Sequence, residues 1–476
     1  MTVAPELAER LAVLDDLERV AALLGWDQET QMPPRGAHAR GEHLATLGRL
    51  HHERLTDPEL GRLLDAETGD DLLVRAVRRD HERARRVPDD LVAEMARAGV
   101  EAREPWMRAR EAKDFGPFAP ALARNLELRR RLAACFPEAD HPYDALLDAF
   151  EPGMTTARVR EVFAELRAGL VPLVERAAGR EQPAPPSGPF DPAAQEQLAL
   201  EVVRGWGYDP EAWRFDLTVH PFAQGVAPGD IRVTGRFDED SLGGLFAVFH
   251  EVGHGLYEAQ VDAALARTTL GTGVSLGVHE SQSRLWENWV ARSRPFWQHW
   301  LPLAQELLPA LRDTDLDTFL GGVNRVEPSL IRVEADEATY ALHVILRFEL
   351  EVALVEGSLA VADLPDAWNA GTKELLGLDV PHDTVGVLQD IHWSFGEFGY
   401  FPTYALGTIV SAQLWEAFTA AHGELDPADV TPLREWLREH IHRHGRRLLP
   451  TELLQQATGQ ELDPQPLLRH LEARYG

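Results

Sequence analysis

Apolar residues recur every three or four positions from the start of the chain. Leu7, Leu11, Leu14, Leu17, Val20 and Leu24 share one face of a helix that Pro5 suits as a first turn and Gly25 suits as an end. The same spacing continues through most of residues 37–180, broken by turns at Met32-Pro33-Pro34, Val87-Pro88 and Phe136-Pro137. The pattern changes once. RFDLTVHPF (214–222) and DIRVTGRF (230–237) alternate apolar and polar residues around AQGVAPG, which predicts a pair of strands joined by a loop. From Ser241 helical patterns resume and run almost to the end. The expected fold is mainly α with a very small sheet.

The segment EQPAPPSGPFDP (181–192) is the best candidate for a linker or surface loop, because its prolines forbid a continuous helix. It divides an N-terminal helical lobe, about 1–180, from a lobe at about 193–476 that holds the strands. No repeat of fixed period and no low-complexity tract is present.

Charge and cysteine usage narrow the chemistry. Lys and Arg total 47 against 77 Asp and Glu, a formal net charge of −30, which disfavours nucleic acid and anionic membrane as partners. The only cysteine, Cys135, excludes an intrachain disulfide and any multi-thiolate metal site, and fits a cytoplasmic location. MTVAPELAER shows no export signal, and no apolar run is long enough to span a membrane. Any metal must be held by His and carboxylate.

Such a set stands in FHEVGHGLYE, 249–258. On a helix begun near Leu242, with Asp240-Ser241 as its cap, His250 and His254 lie one turn apart on one face and can reach the same ion. Glu251 is then placed to take a proton from water activated by that ion, the arrangement of a zinc peptidase. Gly253 and Gly255 weaken a helix and make sense where another backbone or a substrate comes close. A third ligand is required, and VHESQSRLWENWV (278–290) offers both His279 and Glu280. A rival pair, His440 and His444, sits among Arg443, Arg446 and Arg447, which repel a cation.

Beyond HEVGH (250–254), the chain carries in order HPF (220–222), DIRVT (230–234), HESQ (279–282), IRVEAD (331–336) and GVLQDIHW (386–393). With WDQETQMPP (26–34) and YDALLDAFEPGMT (143–155), these motifs resemble the Taq-type thermostable carboxypeptidases, the M32 family of metallopeptidases. The resemblance implies zinc held by His250, His254 and Glu280, with Glu251 as general base and cobalt as a productive substitute. It also implies a helical, saddle-like body with a deep groove, a homodimer, and release of single residues from peptide C-termini with broad specificity.

An exopeptidase needs two further groups. An oxyanion donor is sought among His220, His392, Tyr400 and Tyr404, with Tyr404 first, because HWSFGEFGYFPTY resembles the His-then-two-tyrosines region of related helical zinc peptidases, where such groups also bind the substrate end. Phe395, Phe398 and Phe401 are expected to pack that loop. A planar guanidinium suits a terminal carboxylate, and Arg332 ranks ahead of Arg232. Arg332 has an alternative partner in Asp336, whereas Arg232 alternates with Ile231 and Val233 on a strand and faces away from what they bury. Asp230, Gln389 and Asp390 fit roles in orienting these groups. A helical zinc oligopeptidase or dipeptidyl carboxypeptidase is the alternative enzyme, and a non-catalytic peptide-binding protein the alternative outside enzymes.

Overall fold

The computed structural model describes residues 3–67 and 71–476. It is mainly helical, with one three-stranded sheet. Two units are each assembled from three segments: Met1–Arg85, Pro183–Val323 and Leu414–Gln460 in the first, and Arg86–Gln182, Asn324–Gln413 and Glu461–Gly476 in the second. This division differs from lobes at 1–180 and 193–476. The opening residues belong with the sheet because Arg19 donates to the carbonyls of Gly225 and Gly271, at 3.1 and 2.6 Å.

In the first unit the opening helix, Pro5–Thr30, buries Leu7, Leu11, Leu14 and Trp26. It runs through Gly25 instead of stopping there, since one interior glycine costs only about 1 kcal/mol and the Trp26 anchor beyond it is buried. Val20 points outward and is exposed. The Pro-rich stretch 183–190 has no helix or strand, yet it packs: a Cβ on Gly322 would lie 2.6 Å from the Ala184 carbonyl oxygen.

The sheet comprises β1 (Trp213–Leu217), β2 (Ala223–Ala227) and β3 (Asp230–Gly235), in the order β1-β3-β2. β1 and β3 run parallel with Arg214 opposite Arg232, while β2 pairs antiparallel to β3 with Gln224 opposite Arg232. The expected loop AQGVAPG therefore contains a strand, and the two expected strands are parallel neighbours. Gly225 and Pro228 disguise β2, which exists because β3 offers its free edge, a tertiary effect that outweighs local propensity. Ile231 and Val233 are buried, and the Ile231 face meets the helix Gly243–Ala259 at Gly255. Arg232 turns the other way, its guanidinium carbon 4.1 Å from the Trp26 ring centroid.

The second unit centres on the helix Tyr340–Glu356, whose Leu342, Val344, Arg347, Glu351 and Leu354 are fully buried. A helix buried over most of its surface must satisfy its enclosed polar groups within the protein. Glu351 accepts from Tyr143 Oη at 2.6 Å, Trp393 Nε1 at 2.7 Å and the Gly399 amide at 3.0 Å, while burial pushes its carboxyl up to about 7. These bonds fix the stretch 393–399 that leads to Tyr400 and Tyr404. Gly399 adopts φ +92°, and a Cβ there would meet the Leu146–Leu147 backbone at 2.7 Å.

Candidate active site

The helix carrying HEVGH spans Gly243–Ala259, one residue later than expected, and Ser241 Oγ accepts from the Gly243 amide at 3.0 Å. It lies against the helix Leu276–Arg284, which continues as a single π-helical stretch, Leu285–Val290. Gly253 permits the approach: a Cβ there would sit 2.7 Å from Gln282 O and from Ser283 Cα. The close backbone anticipated at Gly253 is thus that of the HESQ helix, and at Gly255 the neighbour is the Trp213 ring, 2.5 Å from a virtual Cβ.

This packing brings His250, His254 and Glu280 together, with one ligand atom from each inside a 4.8 Å cluster. Glu280 Oε2 lies 3.4 Å from His250 Nε2 and 3.5 Å from His254 Nε2. Donors bonded to one tetrahedral ion at about 2.1 Å stand roughly 3.4 Å apart, so the three residues fit a divalent metal. Glu280 Oε1 is occupied by Arg284 Nε at 2.8 Å, while Oε2, which also accepts from Ser283 Oγ at 3.1 Å, faces the two histidines. Burial opposes ionisation of Glu280, but Arg284 and His250 outweigh it and hold the carboxyl well below its ordinary range.

The two histidines differ. Burial disfavours charge on both; at His250 the Glu280 and Glu287 carboxylates prevail and raise the pKa to about 10, whereas His254 is lowered to about 4. Glu251 is buried, and burial pushes its carboxyl up to about 7, near where a general base works best. His250 Nδ1 donates to Glu287 Oε2 at 2.9 Å, and Arg284 and Arg292 flank that carboxylate at 3.3 and 3.5 Å. Glu287 was missed in the sequence, although it follows Glu280 by seven residues, two turns along the same face. His279 is outside the ligand cluster and meets His254 from behind.

In the second unit Arg332 is buried, and its Nε and Nη2 donate to Asp390 Oδ1 at 3.1 and 2.9 Å. Arg347 holds the other oxygen, with Nε 2.7 Å from Oδ2. Arg332 Nη1 donates to Tyr340 Oη at 3.0 Å, and its guanidinium carbon is 4.8 Å from the Tyr404 ring centroid. Gln389 Oε1 accepts from the Arg332 amide at 2.9 Å. Arg332 and Asp336 do not pair: residues Arg332–Glu334 form one short 3-10 turn, and Asp336 instead accepts the amides of Glu327, Ala338 and Thr339. Tyr404 Oη lies 3.4 Å from His392 Nε2, the Tyr400 ring is 5.3 Å from that of Tyr404, and burial lowers His392 to about 4. Phe398 and Phe401 are buried as expected; Phe395 is 38% exposed, because it precedes the left-handed turn at Gly396.

The remaining candidates belong to the first unit. Arg232 is neutralised by Asp230, with Nε–Oδ1 2.7 Å and Nη2–Oδ2 3.0 Å. His220 is exposed between β1 and β2. The rival histidines do not converge: His444 Nε2 meets the Glu439 carbonyl at 3.1 Å and the His440 ring lies against Trp436. Among the described residues no helix is long and apolar enough to cross a membrane.

The family described as carboxypeptidase Taq (M32) metallopeptidase matches residues 6–475. Thermostable carboxypeptidase 1 of Thermus thermophilus is 42% identical over 486 residues, covering 96% of this chain and 95% of its own. Carboxypeptidase 1 of Bacillus subtilis is 36% identical over 491 residues, covering 100% and 98%. The crystal structure of an M32 carboxypeptidase from Deinococcus radiodurans is similar with a TM-score of 0.96 at 42% identity, over 99% of this chain and 98% of that one. With relatives matched along its whole length and a His-His-Glu cluster fit for a divalent ion, the chain belongs to the carboxypeptidase Taq (M32) metallopeptidase family and is a metallocarboxypeptidase of peptides.

Proposed function

We propose that the enzyme uses zinc, held by His250, His254 and Glu280, to release single residues from peptide C-termini with broad specificity. The observation that carries this reading is the placement of Glu280 Oε2 within 3.4 and 3.5 Å of the two histidine Nε2 atoms. When bound, the ion supplies Lewis acidity, lowering the pKa of water and polarising the scissile carbonyl. Glu251 takes the proton of the attacking water and returns it to the leaving amine, and its buried, raised carboxyl supports both halves of that task.

Tyr404 is the preferred oxyanion donor and His392, in hydrogen-bond reach of its hydroxyl, the next; His220 ranks last because it is exposed. Arg332 takes the terminal carboxylate, with Tyr400 beside Tyr404 as a further contact to the substrate end. Two guanidiniums share the single charge of Asp390, so the Arg332 triad keeps one positive charge, whereas Asp230 cancels that of Arg232. Cobalt is expected to substitute for zinc. The lone cysteine supports a cytoplasmic setting, and the homodimer is to be checked by light scattering.

The test pairs metal analysis with product analysis. About one zinc per chain and mass-spectrometric release of single C-terminal residues from a blocked dipeptide, but not from its C-terminal amide, support the proposal. Equal cleavage of the amide, or internal fragments from longer peptides, points to an oligopeptidase. Chelator should abolish turnover, and added zinc or cobalt should restore it.

A further inference from the structure

His254 is held from behind by a hydrogen-bonded chain that the ligand set does not include and that ends on a buried carboxylate, Glu258. Its Nδ1 lies 2.7 Å from His279 Nδ1, and His279 Nε2 lies 3.0 Å from Glu258 Oε1. That oxygen also accepts from the Gly273 amide at 3.0 Å and Thr272 Oγ1 at 2.9 Å, while Arg19 Nη1 stands 3.8 Å from Oε2. All six residues belong to the first unit.

The proton order follows from the fixed end of this chain. A backbone amide can only donate, so Glu258 Oε1 is an acceptor, and His279 Nε2 facing it must carry a hydrogen. In a neutral imidazole the other nitrogen is then bare, so His279 Nδ1 accepts and His254 Nδ1 donates. His254 Nε2 is left without a hydrogen, on the side where Glu280 lies. The backbone also sets the ring's position: a Cβ on Gly273 would fall 2.7 Å from His279 Cδ2, and the Tyr257 ring lies 5.2 Å from that of His279.

Resting on the zinc reading, we infer that His279 and Glu258 are positioning residues that fix the tautomer and orientation of His254 for the metal. The device differs from that behind His250, where a carboxylate, Glu287, accepts directly. Interposing an imidazole lets a loop glycine and the opening helix, through Gly273 and Arg19, reach the ligand. Groups of this kind commonly change metal affinity by about 10–100-fold when removed.

The experiment measures zinc affinity by competition with a chromogenic chelator, the visible spectrum of the cobalt-loaded protein, and the melting temperature of the metal-free protein. His279→Leu should weaken zinc by about 10–100-fold and alter the cobalt spectrum, and His279→Gln, whose amide can both accept and donate, should recover most of the affinity. A merely structural role would lower the metal-free melting temperature and leave zinc affinity within about threefold, which overturns the inference. Long-range 1H–15N spectra of the metal-free parent give a check independent of any variant: the Nε2–H tautomer of His279 supports it, and the Nδ1–H tautomer overturns it. A parent that binds no zinc overturns the metal reading and this inference together, whereas a parent and His279→Leu that bind equally overturn this inference alone.

Discussion

Arg332 and Asp390, 58 residues apart in sequence, form a buried ion pair in which both guanidinium donors use one carboxylate oxygen and leave the other to Arg347. The arrangement keeps one net positive charge on two buried guanidiniums and a carboxylate only 10% exposed. Asp390→Asn would bury two guanidiniums without a full counter-charge, and a stability loss of about 3–5 kcal/mol is expected by chemical denaturation. Arg332→Lys keeps the charge but loses the planar fork. It should raise KM for a blocked dipeptide by about tenfold with a smaller change in kcat. Unchanged KM would remove Arg332 from substrate recognition.

Glu251→Gln separates the proposed base from the proposed metal ligands. Turnover should fall by about 10²–10⁴-fold while zinc content stays at the parent level. The amide occupies the same buried position, next to His250 and outside the ligand cluster, and cannot take a proton from water. Steady-state kinetics with metal analysis of the same sample reads both quantities. Activity within tenfold of the parent would transfer the base role to another residue.

Two glycine-to-alanine changes in helices should act in opposite directions. At Gly25, inside the opening helix, nothing lies within 4 Å of the added Cβ, so alanine should stabilise by about 0.5–1 kcal/mol. At Gly253 the same methyl meets the Gln282–Ser283 backbone at 2.7 Å, and overpacking of about 1–3 kcal/mol should outweigh the helix gain. Because that backbone lies two and three residues beyond Glu280 on the same helix, Gly253→Ala should also weaken zinc binding. Thermal melts of the metal-free variants and chelator competition provide the comparison.

How much of this was legible in the sequence follows from which interactions are local. His250, Glu251 and His254 are fixed by helical spacing, and the glycines beside them announce a close neighbour. The choice between His279 and Glu280 was not local, since both lie on one short helix and only its packing turns Glu280 to the cluster and His279 behind His254. Glu258 and Glu287 escaped notice although each stands at a helical interval from a ligand, four residues beyond His254 and seven beyond Glu280. Pairing with β3 made a strand of a Gly- and Pro-bearing stretch. Arg332 found Asp390 in a distant motif because Asp336 was already taken by backbone amides.

The last prediction concerns acid stability of the second unit. Glu337 is buried and accepts from Arg474 Nη1 and Tyr475 Oη, each at 2.7 Å, while His470 Nε2 lies 3.1 Å away. Burial opposes its charge, but Arg474 and His470 prevail and hold the carboxyl far below its ordinary range. A depressed carboxyl stabilises the fold above its unfolded pKa, near 4.5, and that contribution is lost as pH falls toward the folded value. His470 acts in the same sense: burial lowers its pKa from 6.5, so acidification below that point also costs stability. Glu337→Gln should therefore destabilise by about 3 kcal/mol at pH 7.5, and the gap to the parent should narrow as the pH falls below about 4.5. Denaturation of both proteins across pH 3–8 measures the gap. A difference that stays constant over that range would show that Glu337 holds the terminal helix by shape and neutral hydrogen bonds, without its charge.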